Sequence, residues 1–262
     1  GFENGVYDLR QGIFRAGTMD DWLTQTTKKN YREYSWDHED ITEVMEYLTK
    51  VFPNPKLRYY FLDYIATCLM GSRMKLLVFF IGEGDGGKSI VIKLLKEVFG
   101  EYSVNLPRET FIVGKSGNAG SARPDLSRIS HKLISFTNEL TKSHRLDISF
   151  LKEISGGDEF YARKLFGNGG EIKSEASIIF VSNEKPDIPR SDEATWNRVR
   201  VIDFESRFPK DNDPRYKIPD TFDEQMKAKI FPRDIHLEEK LPGFASPLMW
   251  ILLQRFRNYY KN

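Results

Sequence analysis

Two periodicities divide the chain. Up to about residue 72, apolar positions recur at helical spacing. Ile41, Val44, Met45 and Leu48 share one face, with Asp40 and Glu43 placed as a capping box and Pro53 and Pro55 closing the segment. A second helix is predicted from Lys56 to Met70, stopping at Gly71. Ahead of both, Gly5–Leu9 and Gly12–Arg15 read as a small hairpin. From Lys75 the pattern changes to short continuous apolar runs: Leu76–Ile81, Leu133–Phe136, Ile178–Ser182 and Val199–Phe204. Such runs are typical of strands buried on both faces. Between the first two lies a helix marked by Ile90, Val91, Leu94, Leu95 and Val98, ending at Gly100. Strands alternating with helices predict an α/β fold with a parallel sheet and crossover helices. After Phe208 the chain turns polar and proline-rich, and an aromatic amphipathic helix is predicted over Ser246–Tyr260. Three segments follow from this: a hairpin and helical part over 1–72, an α/β core over 73–207 and a helical tail over 208–262.

Composition narrows the function classes. Of 262 residues, 40% are hydrophobic, 29% charged and 13% aromatic, enough apolar material for a sizeable core. Net charge is +1, so any nucleic-acid binding needs a local basic patch rather than an overall field. The single cysteine, Cys68, excludes an intramolecular disulfide and sits in an apolar run as an expected buried thiol. No apolar run approaches the ~20 residues of a membrane helix, and no signal peptide is visible, so no membrane partner and no secretion are expected. His38, His131, His144 and His236 are scattered, which argues against a zinc cluster. The chain begins at Gly1 rather than Met, as a piece of a longer polypeptide would.

The sharpest chemistry lies between the first strand and the helix after it. Gly82-Glu83-Gly84-Asp85-Gly86-Gly87-Lys88-Ser89, running into Ile90, matches G-x-x-x-x-G-K-[ST] in full and has the strand–loop–helix context that a phosphate-binding loop requires. Glycines let the backbone N–H groups wrap a phosphate, and the helix N-terminus adds partial positive charge. Lys88 can reach the outer phosphates of ATP, and Ser89 can ligate Mg²⁺. Glu139, after the Leu133–Phe136 run, is placed to polarise an attacking water and, with Asn138, to support the metal shell through water. Asp147 is the rival acid, read instead as the N-cap of the helix that starts there. Asn183, after the Ile178–Ser182 run, is placed to sense the γ-phosphate, because ligands of parallel sheets gather at the carboxyl ends of strands.

The order of phosphate loop, strand-Glu139, Gly156-Gly157-Asp158, strand-Asn183 and Trp196-Asn197-Arg198 resembles superfamily 3 helicases, most closely the poxvirus-like primase-helicases of large DNA viruses, with relatives in phages and plasmids. Asn4–Leu9 and Asp63–Gly71 resemble the helical domain that precedes the motor in that family. The resemblance covers about residues 1–205. It implies an AAA+-type P-loop core, a hexameric ring, Mg²⁺-dependent ATP hydrolysis, translocation on single-stranded DNA, usually 3′ to 5′, and an upstream primase domain. It also implies residence in host cytoplasm, or in bacterial cytoplasm for a phage or plasmid protein. By position Lys88 and Ser89 match the Walker A residues, Glu139 the Walker B acid, Asn183 the sensor, and Arg198 the arginine given to a neighbouring subunit's ATP. The family often has Asn where Gly86 stands, two acids where Asn138-Glu139 stand, and Arg-Arg where Asn197-Arg198 stand, which makes Arg200 a rival finger.

Glu159–Phe166 and Glu171–Ser177, joined by Gly167-Asn168-Gly169-Gly170, read as a β-hairpin with a basic tip. In the family such a hairpin enters the ring channel. Lys164, then Lys173 and Arg163, are the candidate phosphate contacts, and Phe166 is a candidate for stacking on bases. A second basic loop, with Lys115 and Arg123, runs over 114–123. Two other function classes fit the loop alone: an ATP-driven packaging or protein-remodelling motor, and a small-molecule kinase. The hairpin before the Asn183 strand favours the helicase.

Overall fold

A computed structural model describes residues 1–71, 74–114, 124–141, 144–157, 159–163, 169–185, 188, 193–210 and 213–261. In chain order the elements are β1 (Val6–Asp8), β2 (Ile13–Arg15), α1 (Glu39–Val51), α2 (Pro55–Thr67), β3 (Leu77–Ile81), α3 (Lys88–Phe99) and β4 (Ser103–Leu106). Then come α4 (Pro124–Ser127), β5 (Ile134–Thr137), α5 (Ile148–Gly156), β6 (Glu159–Arg163), β7 (Gly169–Lys173) and β8 (Ser177–Ser182). The last are α6 (Glu193–Trp196), β9 (Val199–Asp203), α7 (Phe222–Ala228) and α8 (Leu237–Lys261). The chain forms two compact units, one of residues 1–67, 82–101 and 204–262, the other of 68–81 and 102–203.

The first unit is helical. β1 and β2 pair antiparallel, as the sequence predicts, with Tyr7 opposite Phe14. α8 packs against α1, α2 and α3 and buries Leu241, Phe244, Leu248, Trp250, Leu252 and Phe256 among others. It starts ahead of the predicted helix, at Leu237, and runs through Pro242 as well as Pro247. A proline inside a helix costs about 3 kcal/mol, an amount that the burial of several large side chains offsets. α1 begins one residue before the predicted cap. His38 is the N-cap, and its Nδ1 accepts from the Asp40 N–H at 3.1 Å. The Phe52 ring lies 4.6 Å from Phe61 and 4.9 Å from Phe204, joining α1 and α2 to the segment after β9.

The second unit is an α/β layer around a five-stranded sheet of order β4-β5-β8-β3-β9, parallel at every pair. β3 is buried along its whole length and β8 nearly so, the reason both read as unbroken apolar runs. Phe180 stacks on Phe79 at 4.9 Å and meets Phe111 edge-on at 5.1 Å. Cys68 is buried, as expected. The expected hairpin is β6–β7, paired from Glu159↔Lys173 to Arg163↔Gly169. Among the described residues no helix is long and apolar enough to cross a membrane. We expect Phe180→Ala, which empties a fully buried ring site, to lower stability by about 3–5 kcal/mol in urea unfolding. A loss under about 1 kcal/mol would contradict this packing.

Candidate functional site

The residues singled out from the sequence fall into both units. In the first unit the glycine-rich loop follows β3 directly in the chain and ends in α3. Gly87 is the N-cap of α3, in the left-handed region at φ 83°, and Asp85 is left-handed too at φ 58°. Left-handed residues in such a loop turn neighbouring N–H groups toward one side, forming an anion-binding concavity. Lys88 is buried, and its ammonium donates to the carbonyls of Gly82 and, at 3.1 Å, Glu83. The side chain therefore folds back along the loop, where it can serve a bound phosphate chain. Ser89 and Glu83 are exposed, and nothing crowds Gly84 within 4 Å. Glycine N–H groups, a buried ammonium, a helix N-terminus and an exposed hydroxyl suit a polyphosphate with its divalent cation.

The loop is shaped from below by the chain after β9. A Cβ on Gly82 would sit 2.7 Å from the Phe204 carbonyl oxygen, and one on Gly87 would meet the Phe208 ring at 3.3 Å. Phe208 N–H donates to the Asp85 carbonyl at 2.9 Å. Ser206 Oγ–H donates to the Lys50 carbonyl at 2.6 Å, tying this segment to the end of α1. Arg207 Nη2 donates to Glu83 Oε2 at 3.0 Å, and Arg233 approaches Asp85 at 3.7 Å. Sequence reasoning missed these two arginines. The only sequence signal is indirect: two carboxylates in a loop meant for an anion call for nearby cations.

In the second unit the parallel sheet aligns strand ends. Ile81, which hands the chain to Gly82, is paired with Ser182. Ser182 also bridges Leu140: Leu140 N–H donates to Val181 O at 2.8 Å, and Ser182 Oγ–H donates to Leu140 O at 3.2 Å. Glu139 and Asn183 flank that bridge, so the sheet brings these two predicted residues to one edge, both exposed. Arg108 Nη1 donates to the Glu139 carbonyl at 3.0 Å. Beside it the Glu109 carboxyl is held below its ordinary range, first by a backbone N–H hydrogen bond and then by Arg108. Asp147 caps α5, accepting from Phe150 N–H at 3.0 Å, as its reading as a cap requires.

Arg198 and Arg200 stand at the opposite end. Val199, the first residue of β9, pairs with Leu77, the first of β3. At ~3.3 Å per residue, the five residues of the strand separate Arg198 from the carboxyl edge by about 16 Å. Arg198 Nη1 donates to Ala194 O at 3.0 Å, while Arg200 donates to the Asn197 and Val199 carbonyls. On the hairpin, Lys173 ends β7 and is exposed, and Arg163 ends β6. Lys164, Phe166, Lys115 and Arg123 lie outside the described residues.

Comparison with known proteins fits this construction. Residues 80–199 match a family described as of unknown function, and residues 1–53 a family described as D5 N terminal like. "Putative helicase L207/L206" of Acanthamoeba polyphaga mimivirus is 32% identical over 263 residues, covering 100% of this chain and 27% of that protein. "Putative helicase 184R" of Invertebrate iridescent virus 6 is 32% identical over 265 residues, with 97% and 27% covered. "Primase D5" of Fowlpox virus (strain NVSL) is 26% identical, with 87% and 30% covered. The chain thus spans less than a third of each of these relatives. The A form apo structure of the NrS-1 C-terminal region (305–718) shares the fold, with a TM-score of 0.56 at 18% identity over 88% of this chain and 49% of that one.

Fold and site together define an α/β protein with a parallel five-stranded sheet, a glycine loop opening a helix, and polar residues gathered at the carboxyl edge. The resemblance drawn from the motif order is borne out: the chain is similar to the primase-helicase type of large DNA viruses. The Gly82 contact gives a direct test of the loop's shape. Gly82→Ala places a methyl against the Phe204 backbone and should cost about 1–3 kcal/mol in urea unfolding, whereas Gly84→Ala, facing open space, should cost under about 1 kcal/mol. Equal losses would refute the close approach.

Proposed function

We propose that this chain is the ATP-hydrolysing motor of a DNA helicase, built on an AAA+-type P-loop core and working as a ring on single-stranded DNA, in the 3′ to 5′ direction. The observation that carries this reading is the strand–glycine loop–helix around the buried Lys88 in a chain similar over its whole length to proteins named as helicases. Gly82–Ile90 cradle the triphosphate with backbone N–H groups, and Lys88 takes the outer phosphates. Ser89 and, through water, Glu139 are the residues to hold Mg²⁺. When bound, that ion neutralises charge on the phosphate oxygens. In this proposal Glu139 orients and polarises the attacking water, and Asn183 senses the γ-phosphate. Loss of the γ-phosphate is then felt at β8, the strand that follows the β6–β7 hairpin, where Lys164, Lys173 and Arg163 grip the DNA backbone without reading bases.

Arg198 is the finger, offered to the neighbouring subunit. Its place about a strand's length from its own carboxyl edge supports action in trans. Lys88→Ala should abolish ATP turnover. Arg198→Ala should keep nucleotide affinity and lose turnover by on the order of 10³-fold. Mixing these two inactive variants should restore part of the activity, because a Lys88→Ala subunit still carries Arg198 for a neighbour. A mixture as dead as its components would sink the trans assignment.

The DNA arm is tested separately. ATPase activity should rise with single-stranded DNA, and Lys173→Ala should lower DNA affinity and reduce the log–log salt slope by about 0.7, one phosphate contact on a single strand. A protein-remodelling motor would show neither stimulation nor that slope change.

A further inference from the structure

The glycine loop carries a charge pattern at odds with its ligand. Its side chains hold two carboxylates, Glu83 and Asp85, against one ammonium, Lys88. A nucleoside triphosphate seated on the loop's N–H groups would meet like charge from both acids. Within the first unit the segment after β9 supplies the counter-charge. Arg207 donates to Glu83 at 3.0 Å, and Arg233 lies 3.7 Å from Asp85. Arg215 joins them electrostatically. Its guanidinium is held above its ordinary value first by hydrogen bonds to Asp213, and the Asp85 carboxylate adds to that pull.

Arg207 is the best fixed of the three. Its side chain is only 20% exposed, and Nη1 donates to the Phe204 and Ser206 carbonyls. Its backbone N–H donates to Lys229 O at 2.8 Å, and its carbonyl accepts from Phe231 N–H at 2.9 Å. Both flanks of the residue are therefore anchored, and little rotamer freedom remains to be lost on pairing. Arg233 is nearly half exposed and its contact longer, so it acts more weakly.

The geometry points to Arg207, seconded by Arg233, as positioning residues that neutralise the loop's own acids and so tune it for the phosphate chain of a nucleoside triphosphate. This deepens the reading of the loop as an ATP site and rests on it. The role is electrostatic, so its effect must grow with ligand charge and fade with salt, which a merely structural role would not do.

The test is a double-mutant cycle read by nucleotide affinity at low and at about 0.5 M NaCl. Arg207→Gln should weaken ATP binding about two- to fivefold at low salt, the range of an exposed ion pair, and ADP binding less. The loss should shrink at high salt. Adding Glu83→Gln to Arg207→Gln should restore affinity to within about twofold of wild type, since the uncompensated acid is gone. Arg207→Lys, which keeps the charge, should bind nearly as wild type does and serves where the Gln variant fails to fold. An unchanged affinity in Arg207→Gln, a loss that Glu83→Gln does not repair, or an Arg207→Lys variant as weak as a neutral one would overturn the role. Lys88→Ala, run in parallel, separates the two layers. If wild type binds ATP and Lys88→Ala does not, a failed cycle removes the arginines alone. If wild type and Lys88→Ala behave alike, the ATP reading falls and the arginine role with it.

Discussion

Much of the structure depends on one close backbone approach. The chain leaves β3 at Gly82 with no room for a side chain, because the Phe204 carbonyl stands where a Cβ would go. The approach does two things at once. It presses the glycine loop onto the segment after β9, which is itself tied to α1 through the Ser206 hydroxyl and the Phe52–Phe204 contact. It also fixes the loop at both ends, by packing at Gly82 and by the helical hydrogen bonds of α3 after Gly87. A phosphate-binding loop has to be shaped before its ligand arrives, since N–H groups ordered only on binding would cost conformational entropy at that moment. Here the Phe204 backbone limits the loop at Gly82, and the Ser206 hydroxyl and the Phe52 ring hold that backbone in place.

The parallel sheet imposes a second constraint, one of direction. With every pair parallel, all carboxyl ends lie on one edge and all amino ends on the other. Glu139 and Asn183 reach the first edge because β5 and β8 are neighbours whose ends are stapled by the Leu140–Ser182 bridge. Arg198 falls on the second because it precedes β9. One register therefore groups Glu139 and Asn183 and sets Arg198 apart. Under the proposed function, that is the arrangement expected if hydrolysis needs a residue from another copy of the chain.

How much was legible in the sequence follows from burial. β3, β5, β8 and β9 could be read as apolar runs because the sheet is covered and these strands are short and rich in Ile, Val and Phe. β4 could not: Ser103-Val-Asn-Leu106 is an edge strand with one side exposed, and four residues of alternation are too few to separate from a turn. Asp40 was the natural choice for the cap of α1, yet an imidazole nitrogen can accept the same N–H, and His38 does. The first turns of α8, from Leu237, are not legible because Pro242 is a usual stop signal, and only the depth of the helix's burial outweighs it. The positions of the glycine loop, Glu139 and Asn183 at strand ends are legible because each closely follows an apolar run that the sheet buries. Arg207 and Arg233 are not. Their partners are variable positions of the loop, more than 120 residues away in the chain, and no spacing rule links an acid at one site to a base at the other.

The same difference says what kind of information the tail carries. The loop's fixed positions, glycines and Lys88-Ser89, suit any polyphosphate. Glu83 and Asp85 add charge of the wrong sign, which weakens anion binding unless it is compensated. A loop with neutral residues at those positions would need no arginines and would be indifferent to the segment after β9. With acids there, the electrostatics of the loop depend on that segment staying in place; for a loop that binds phosphate as proposed, a displacement of Arg207 is expected to change affinity even with Lys88 and the backbone unmoved. Variable positions of a conventional loop thereby couple it to one particular stretch of its own chain.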